Sequence, residues 1–304
     1  MSGRGGMTRS TLRAPRTFSA ARRRVLGALA AAAVAGFPAI VRSTGHESIR
    51  FGLTPVLLNS DLQLLAKLEQ YLTAGVEEPV ALVHRRTYQE ISMLLLAGQL
   101  EAAWICGFPF VQHADRLALL AVPVFRGEPL YQSYVIVNEA SPARSFADLR
   151  GGIHAFSDPD SNSGFLVTRH LLATMKEGPD TFFSRTFFTY GHRNVIRAVA
   201  SGLAQSGSVD GYVWEVMNET EPGLVGRTRV LRRSEKLGFP PVASGARLAR
   251  TPAVKKLARA LVRMHEHPLG QPVLAMLRLD RFIPAETSLY DGIAEKYKLV
   301  RSVS

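Results

Sequence analysis

The sequence predicts an α/β protein of two similar lobes, whose mixed, mostly parallel sheets are joined by a two-strand hinge. Short apolar strands alternate with helices along residues 49–211, which is typical of parallel sheets covered by helices. The pattern also repeats weakly at an offset of 104 residues, which aligns two prolines, two pairs of glycines and two loop-to-helix junctions without a gap. A chain of 304 residues is long enough for two such lobes.

Each copy of the repeat contains the same five elements in the same order. A strand leads through a proline-containing loop into a helix, and a second strand, a second helix and a third strand follow. In the first copy these elements are predicted at 49–53, 60–72, 79–84, 88–97 and 102–105. In the second copy they are predicted at 153–156, 163–175, 187–189, 194–200 and 206–209. Gly98 and Gly202 follow the second helix of each copy, where a C′ glycine is favoured.

The segments between and after the two copies predict the hinge. Residues 130–137 alternate polar and apolar side chains, as in a strand that leaves lobe one, and the chain is predicted to return through residues 229–231 and 240–249. Thr251 and Pro252 then begin an amphipathic helix as N-cap and first residue. Lobe one is therefore predicted at 47–133 plus 238–304, and lobe two at 134–237. Because ligands bind at the carboxyl ends of strands in α/β sheets, the cleft between the lobes is the expected site.

Residues 1–46 have the composition of an export signal. They contain eight arginines and no acidic residue, and an apolar run of 13 residues at 25–37 is too short to span a bilayer comfortably. The sequence Arg22-Arg23-Arg24-Val25-Leu26 resembles the twin-arginine (Tat) pattern. We therefore expect export to the periplasm, with an uncleaved membrane anchor as the alternative.

Charge and cysteine content exclude several classes of function. The net charge is +12, but outside the N-terminal segment 29 basic residues face 25 acidic ones. This balance does not indicate a nucleic-acid-binding protein. A single cysteine excludes a disulfide framework and a thiolate zinc cluster. No catalytic, metal-binding or cofactor-binding motif occurs, so we expect no enzyme activity, no metal and no cofactor.

The segment Asp158-Pro-Asp-Ser-Asn-Ser-Gly164 is the strongest candidate for a binding site. It lies between a predicted strand and a predicted helix, where exposed N–H groups and the helix dipole favour an anion. Ser161, Asn162 and Ser163 can add donors, and Gly164 allows an oxyanion to approach the backbone. The alternative is an ordinary turn that caps the helix.

Further candidates lie at the same edge of the predicted sheets. His192 precedes the second helix of lobe two, Asp210 ends a strand, and Tyr88 begins a helix of lobe one. Thr54 and Phe108 are weaker candidates in lobe one, and Phe108 belongs to a predicted loop at 104–110 whose aromatic residues can line a pocket. Each of these residues has a structural alternative, namely a surface, turn, helix-entry or core position.

Several stretches resemble the phosphonate/phosphite family of periplasmic substrate-binding proteins of ABC importers. They include FADLRGG, HAFSDPDSNSGFLVTRHLL, FFTYGHRNVIRAVASG, SVDGYVWE, TYQEISMLLLAGQLEAAWICG and FIPAETSLYDGI, and together they span roughly residues 50–290. The resemblance implies the type II, transferrin-like binding-protein fold. It also implies a ligand site formed by Ser161, Asn162, Ser163, His192, Asp210 and Tyr88. Asn162 stands where threonine or serine is common in the family, and GFPF replaces the usual glycine-proline turn.

The resemblance leads to a functional expectation. The protein is expected to be a monomeric periplasmic receptor that captures a small oxyanion of the phosphonate, phosphite or phosphate class. Closure of the lobes would then deliver the ligand to an ABC permease in the inner membrane. The alternative is a periplasmic sensing component that signals to a membrane kinase or another partner.

Overall fold

The computed structural model describes residues 48–55 and 62–303, so the predicted export signal lies outside the described residues. The described residues form two mixed sheets covered by helices, and a small two-stranded sheet. The strands are, in chain order, β1 (Ile49–Leu53), β2 (Val80–His84), β3 (Ala102–Trp104), β4 (Leu117–Val124), β5 (Leu130–Tyr131), β6 (Ser133–Asn138), β7 (Ile153–Phe156), β8 (Arg185–Phe188), β9 (Ser206–Asp210), β10 (Thr228–Arg233), β11 (Leu237–Gly238), β12 (Val242–Gly245) and β13 (Arg281–Ile283).

Helices lie between many of these strands along the chain. They are α1 (Leu62–Val76), α2 (Tyr88–Leu96), α3 (Gly107–Gln112), α4 (Val167–Thr174), α5 (Pro179–Phe182), α6 (His192–Ala200), α7 (Gly211–Thr220), α8 (Pro222–Val225), α9 (Pro252–Val262), α10 (Gly270–Leu277) and α11 (Asp291–Ser302). A π-helical turn at Asn162–Leu166 leads directly into α4, and short 3₁₀ turns lie at Phe146–Leu149, Met264–Glu266 and Thr287–Tyr290. Among the described residues, no helix is both long and apolar enough to cross a membrane.

Apart from the additional edge strand β13, the two large sheets share one strand order. The six-stranded sheet runs β13-β4-β12-β3-β1-β2, and the five-stranded sheet runs β10-β6-β9-β7-β8. The predicted offset is visible in the elements: α2 begins at Tyr88 and ends at Leu96, and α6 begins and ends 104 positions later, at His192 and Ala200. These findings confirm the predicted α/β fold of two mixed sheets.

The share of parallel strand pairs is lower than the sequence predicted. Parallel pairs join β1 to β2 and β3, and β7 to β8 and β9, whereas every other pair of neighbours in the two large sheets is antiparallel. The reason is the path of the chain. Strands β6 and β12 each follow a strand of the small β5–β11 sheet and therefore enter the large sheets in the direction opposite to their neighbours β9 and β3.

Residues 107–112, predicted as part of a loop, form the helix α3. Both phenylalanines of this helix are buried. The ring of Phe108 packs edge-on against Tyr297, with centroids 5.2 Å apart, and the ring of Phe110 packs at a tilt against Tyr290, with centroids 4.9 Å apart. Burial of two aromatic rings against the C-terminal part of the chain outweighs the low helix propensity of glycine and proline.

Candidate functional site

A cluster of buried polar side chains lies where β7 and β9 end and where α2, α6 and α7 begin. We define it by its nine members: Tyr88, Cys106, Tyr131, Asp158, Ser161, Asn162, Ser163, His192 and Asp210. Each is less than 5% exposed, although six are polar or charged, and five of these, the two serines, the asparagine and the two aspartates, are of types normally found at the surface. The six principal candidates from the sequence therefore lie together, and they come from both halves of the chain.

The loop between β7 and α4 forms the floor of the cluster. Ser161 caps the π-helical turn, since its Oγ accepts the N–H of Gly164 at 2.9 Å. Asp158 Oδ1 accepts the N–H of Asp160 at 2.8 Å and Oδ2 accepts the N–H of Tyr88 at 3.2 Å. Asp158 thus shapes the loop and also binds the first residue of α2 in the other half of the chain.

Gly164 is required by close packing. A Cβ at this position would lie 1.8 Å from Ser157 Oγ and 3.0 Å from Ser161 Oγ. Ser157 Oγ is itself buried and has no hydrogen-bond partner among the described residues. The packing of two serine side chains therefore accounts for a glycine at this position, and the approach of an oxyanion to its backbone stays a prediction.

The hydrogen bonds of His192 fix its tautomer. The N–H of Asp210 donates to His192 Nδ1 at 3.1 Å, so the proton of the neutral ring lies on Nε2. Burial lowers the pKa of His192 to about 3, which keeps the ring neutral at physiological pH. Nε2 lies 3.2 Å from Tyr88 Oη and donates to it. The O–H of Tyr88 is then left to donate to a further acceptor.

Asp210 caps α7, because its Oδ1 accepts the N–H of Val213 at 3.3 Å. Burial raises the pKa of Asp210 to about 7, despite the opposing backbone hydrogen bonds from Val213 and Tyr212. Near neutral pH the carboxyl group therefore exchanges between an acceptor and a donor form. Burial also raises the pKa of Asp158.

The two weaker candidates do not join the cluster through their polar or aromatic groups. Thr54 is buried at the end of β1, and its Oγ1 donates to the carbonyl of Trp104 at 3.1 Å. The ring of Phe108 packs against Tyr297 of α11. Both residues are accounted for by packing within the half that contains the six-stranded sheet.

Cys106 and Tyr131 were missed by the sequence-based prediction of the site. Asn162 donates its backbone N–H to Cys106 Sγ at 3.2 Å and its side-chain Nδ2 to Tyr131 Oη at 2.8 Å. Burial raises the pKa of Cys106 to about 12 and that of Tyr131 well above its ordinary value, so both are neutral. The repeat offers a signal for Cys106, which precedes α3 as Asp210 precedes α7.

The charge of the cluster restricts its chemistry. Its nine residues include two aspartates and no lysine or arginine, so a bound anion would be held by N–H and O–H dipoles. No group of three or more metal-ligating side chains is found among residues 48–55 and 62–303.

A family model described as the periplasmic substrate-binding protein of phosphonate ABC transporters matches residues 51–290. The chain belongs to this family. The family consists of solute-binding transport proteins of the periplasm, as the resemblance in the sequence implied.

Several solved structures share the fold of this phosphonate-binding family member. The binding protein of an ABC phosphonate transporter from Pseudomonas aeruginosa is 20% identical, with a TM-score of 0.78 over 84% of this chain and 87% of that chain. PhnD1 from Prochlorococcus marinus, in complex with methylphosphonate, is 18% identical, with a TM-score of 0.75 over 84% and 98%. The alkanesulfonate-binding protein from Xanthomonas axonopodis pv. citri, bound to MOPS, is 19% identical, with a TM-score of 0.58 over 84% and 94%. These likenesses show the type II periplasmic binding-protein fold.

Proposed function

We propose that this protein captures a small phosphonate-type oxyanion in the buried cluster and delivers it to an ABC permease of the inner membrane. The observation that carries the proposal is a pair of hydrogen bonds made by Tyr88, one to Asp158 and one to His192. These bonds join the two halves of the chain around one polar site. The methylphosphonate complex of the Prochlorococcus protein supports the same ligand class.

The ligand oxygens would be held by neutral donors. Ser161 and Ser163 would contribute hydroxyl groups at the start of the π-helical turn. Asn162 lies between them as the first residue of the turn. Tyr88 contributes an O–H that the tautomer of His192 leaves available. Many fixed dipoles in a site closed to water can replace the hydration shell of an anion.

Asp210 would select the protonation state of the ligand. A carboxylate accepts a hydrogen bond from a P–OH group but repels a fully deprotonated anion such as sulfate. Because Asp210 is fully buried, this preference is not screened by solvent. Asp210→Asn should therefore shift the preference towards fully deprotonated anions.

Delivery would depend on closure of two lobes. We assign residues 47–133 plus 238–304 to lobe one and 134–237 to lobe two, with β5 and β11 as the hinge. This assignment is supported by the membership of the two large sheets and by the antiparallel pairing of Leu237 with Tyr131. Small-angle scattering should show compaction of the protein when ligand is added.

A thermal-shift screen with methylphosphonate, phosphite, phosphate, sulfate and nitrate tests the ligand class. Calorimetry then tests the site: Ser161→Ala or Ser163→Ala should weaken binding of the best ligand by about 10- to 100-fold. Thr251→Ala is the matched control, since Thr251 caps α9 in the same way but lies outside the cluster. Unchanged affinity in both folded serine variants would mean that the segment is only a capped turn.

Export through the Tat pathway is proposed from the arginines at positions 22–24 and the alanine-rich segment that follows. Replacing Arg22, Arg23 and Arg24 with lysine should then stop export, and N-terminal sequencing of the periplasmic protein should begin between about residues 36 and 46. Export that is unaffected by these substitutions would indicate the Sec pathway instead.

A further inference from the structure

Asn162 is held from two directions by residues that precede it by more than 30 positions. Its backbone N–H donates to Cys106 Sγ, immediately before α3, and its side-chain amide donates to Tyr131 Oη in β5. Both partners are less than 5% exposed. The first residue of the π-helical turn is therefore bound to the six-stranded half and to the small sheet at the same time.

The position of the Tyr131 phenol is set by the small sheet. Tyr131 pairs antiparallel with Leu237 of β11, and its ring packs against Phe239 with centroids 5.6 Å apart. The chain passes through β5 and β11 each time it changes from one large sheet to the other. In the lobe assignment proposed above, Tyr131 belongs to lobe one and Asn162 to lobe two, so a change in the relative orientation of the lobes would move Tyr131 relative to the loop that contains Asn162.

The side-chain amide of Asn162 makes its hydrogen bond to the hinge and not within its own loop. This favours a role in closure of the lobes over a role in stabilising the loop. Asn162 Oδ1 is buried and has no hydrogen-bond partner among residues 48–55 and 62–303. Ser161 and Asp158 already satisfy the N–H groups of Gly164 and Asp160 in the turn. The amide of Asn162 adds nothing to these bonds within the loop and instead reaches the hinge.

We propose that the contact between Asn162 and Tyr131 couples occupation of the anion loop to closure of the hinge, with Tyr131 as a positioning residue. The proposal rests on the proposed function. When the lobes separate, Tyr131 and Cys106 move away from Asn162, and both bonds are lost. A ligand that draws the lobes together restores them, so the two bonds add to its preference for the closed form.

A double-mutant cycle on Tyr131→Phe and Asn162→Ala tests the coupling, with methylphosphonate as the probe. Each single variant should bind about 5- to 50-fold more weakly, because one buried bond of the closed form is lost. The double variant should bind no more than a few-fold more weakly than the weaker single variant, since both remove the same contact. Compaction in small-angle scattering at saturating ligand should be smaller in both single variants.

Tyr71→Phe is the control, because its hydroxyl donates to the carbonyl of Ala260 within the six-stranded half and is equally buried. Its melting temperature should fall without a change in affinity. Two outcomes overturn the inference but leave the proposed function standing. In the first, Tyr131→Phe lowers the melting temperature without changing affinity, as the control does. In the second, the losses of affinity of the two single variants multiply in the double variant. Wild-type protein that binds none of the screened oxyanions overturns the proposed function and the inference with it.

Discussion

Asp210→Asn should make the ligand-free protein more stable at high pH. The carboxyl group of Asp210 is 1% exposed, and burial raises its pKa from 3.8 to about 7. A carboxyl group with a raised pKa binds its proton more tightly in the folded state than in the unfolded state. Its ionisation therefore lowers stability as the pH rises through the window from about 4 to about 7.

The size of the effect follows from the width of that window. Each tenfold difference in proton affinity corresponds to about 1.4 kcal/mol, so full ionisation of Asp210 costs about 4 kcal/mol of folding free energy. Near pH 4.5 most of this cost is absent, and near pH 8 nearly all of it is present. The asparagine side chain carries no charge and can still cap α7 by accepting the N–H of Val213.

Urea unfolding of both proteins near pH 4.5 and near pH 8 measures the effect. The free energy of unfolding of the variant, relative to wild type, should rise by about 3 kcal/mol between the two conditions. Other groups near Asp210 are common to both proteins and cancel: His192 stays neutral, Asp158 also has a raised pKa, and Tyr88, Cys106 and Tyr131 remain protonated. A relative stability that does not change with pH, or that falls, would refute the reasoning.

Three further predictions concern single residues. Gly164→Ala should lower affinity for methylphosphonate at least 10-fold and cost about 1–3 kcal/mol of stability, because the new Cβ meets Ser157. Gly223→Ala is the control: nothing lies within 4 Å of the new Cβ, so affinity and stability should stay unchanged. Cys106, the one cysteine of the chain, should react slowly with iodoacetamide and more slowly still with ligand, as measured by mass spectrometry; equal rates would argue against closure over it. His154→Ala should cost about 3 kcal/mol in urea unfolding, since His154 is stacked on Phe183 and bonds to two buried serines; a loss below about 1 kcal/mol would contradict this.

The fold was predictable because strands, helices and the repeat all lie in local patterns of the sequence. The helix at His192–Ala200 could be placed by its apolar spacing and by its correspondence with Tyr88–Leu96. The helix at 107–112 could not, since GFPFVQ has a poor helix propensity and depends on rings contributed by residues about 180 positions later. A contact of that range leaves no trace in a local pattern.

The site was predictable only in part, for a similar reason. Ser161, Asn162 and Ser163 could be found because a turn with glycine before a helix predicts a local geometry. Tyr131 reaches the cluster through strand pairing with Leu237, and nothing next to it in the sequence indicates this pairing. The direction of the Asn162 side chain, towards the hinge, likewise depends on a residue 31 positions away.

The contact between Tyr88 and His192 has a consequence for the symmetry of the site. The two residues are 104 positions apart and occupy the same place in the two halves of the repeat. In a homodimer built from either half alone, such a residue would meet its own copy on the two-fold axis, and neither direction of a hydrogen bond between the two copies would be preferred. Because the two residues differ, the hydrogen bonds here have one direction of donation. The N–H of Asp210 donates to the imidazole of His192, and the imidazole donates to the phenol of Tyr88. A single chain can thus fix the direction of this chain of hydrogen bonds, which two identical halves cannot do.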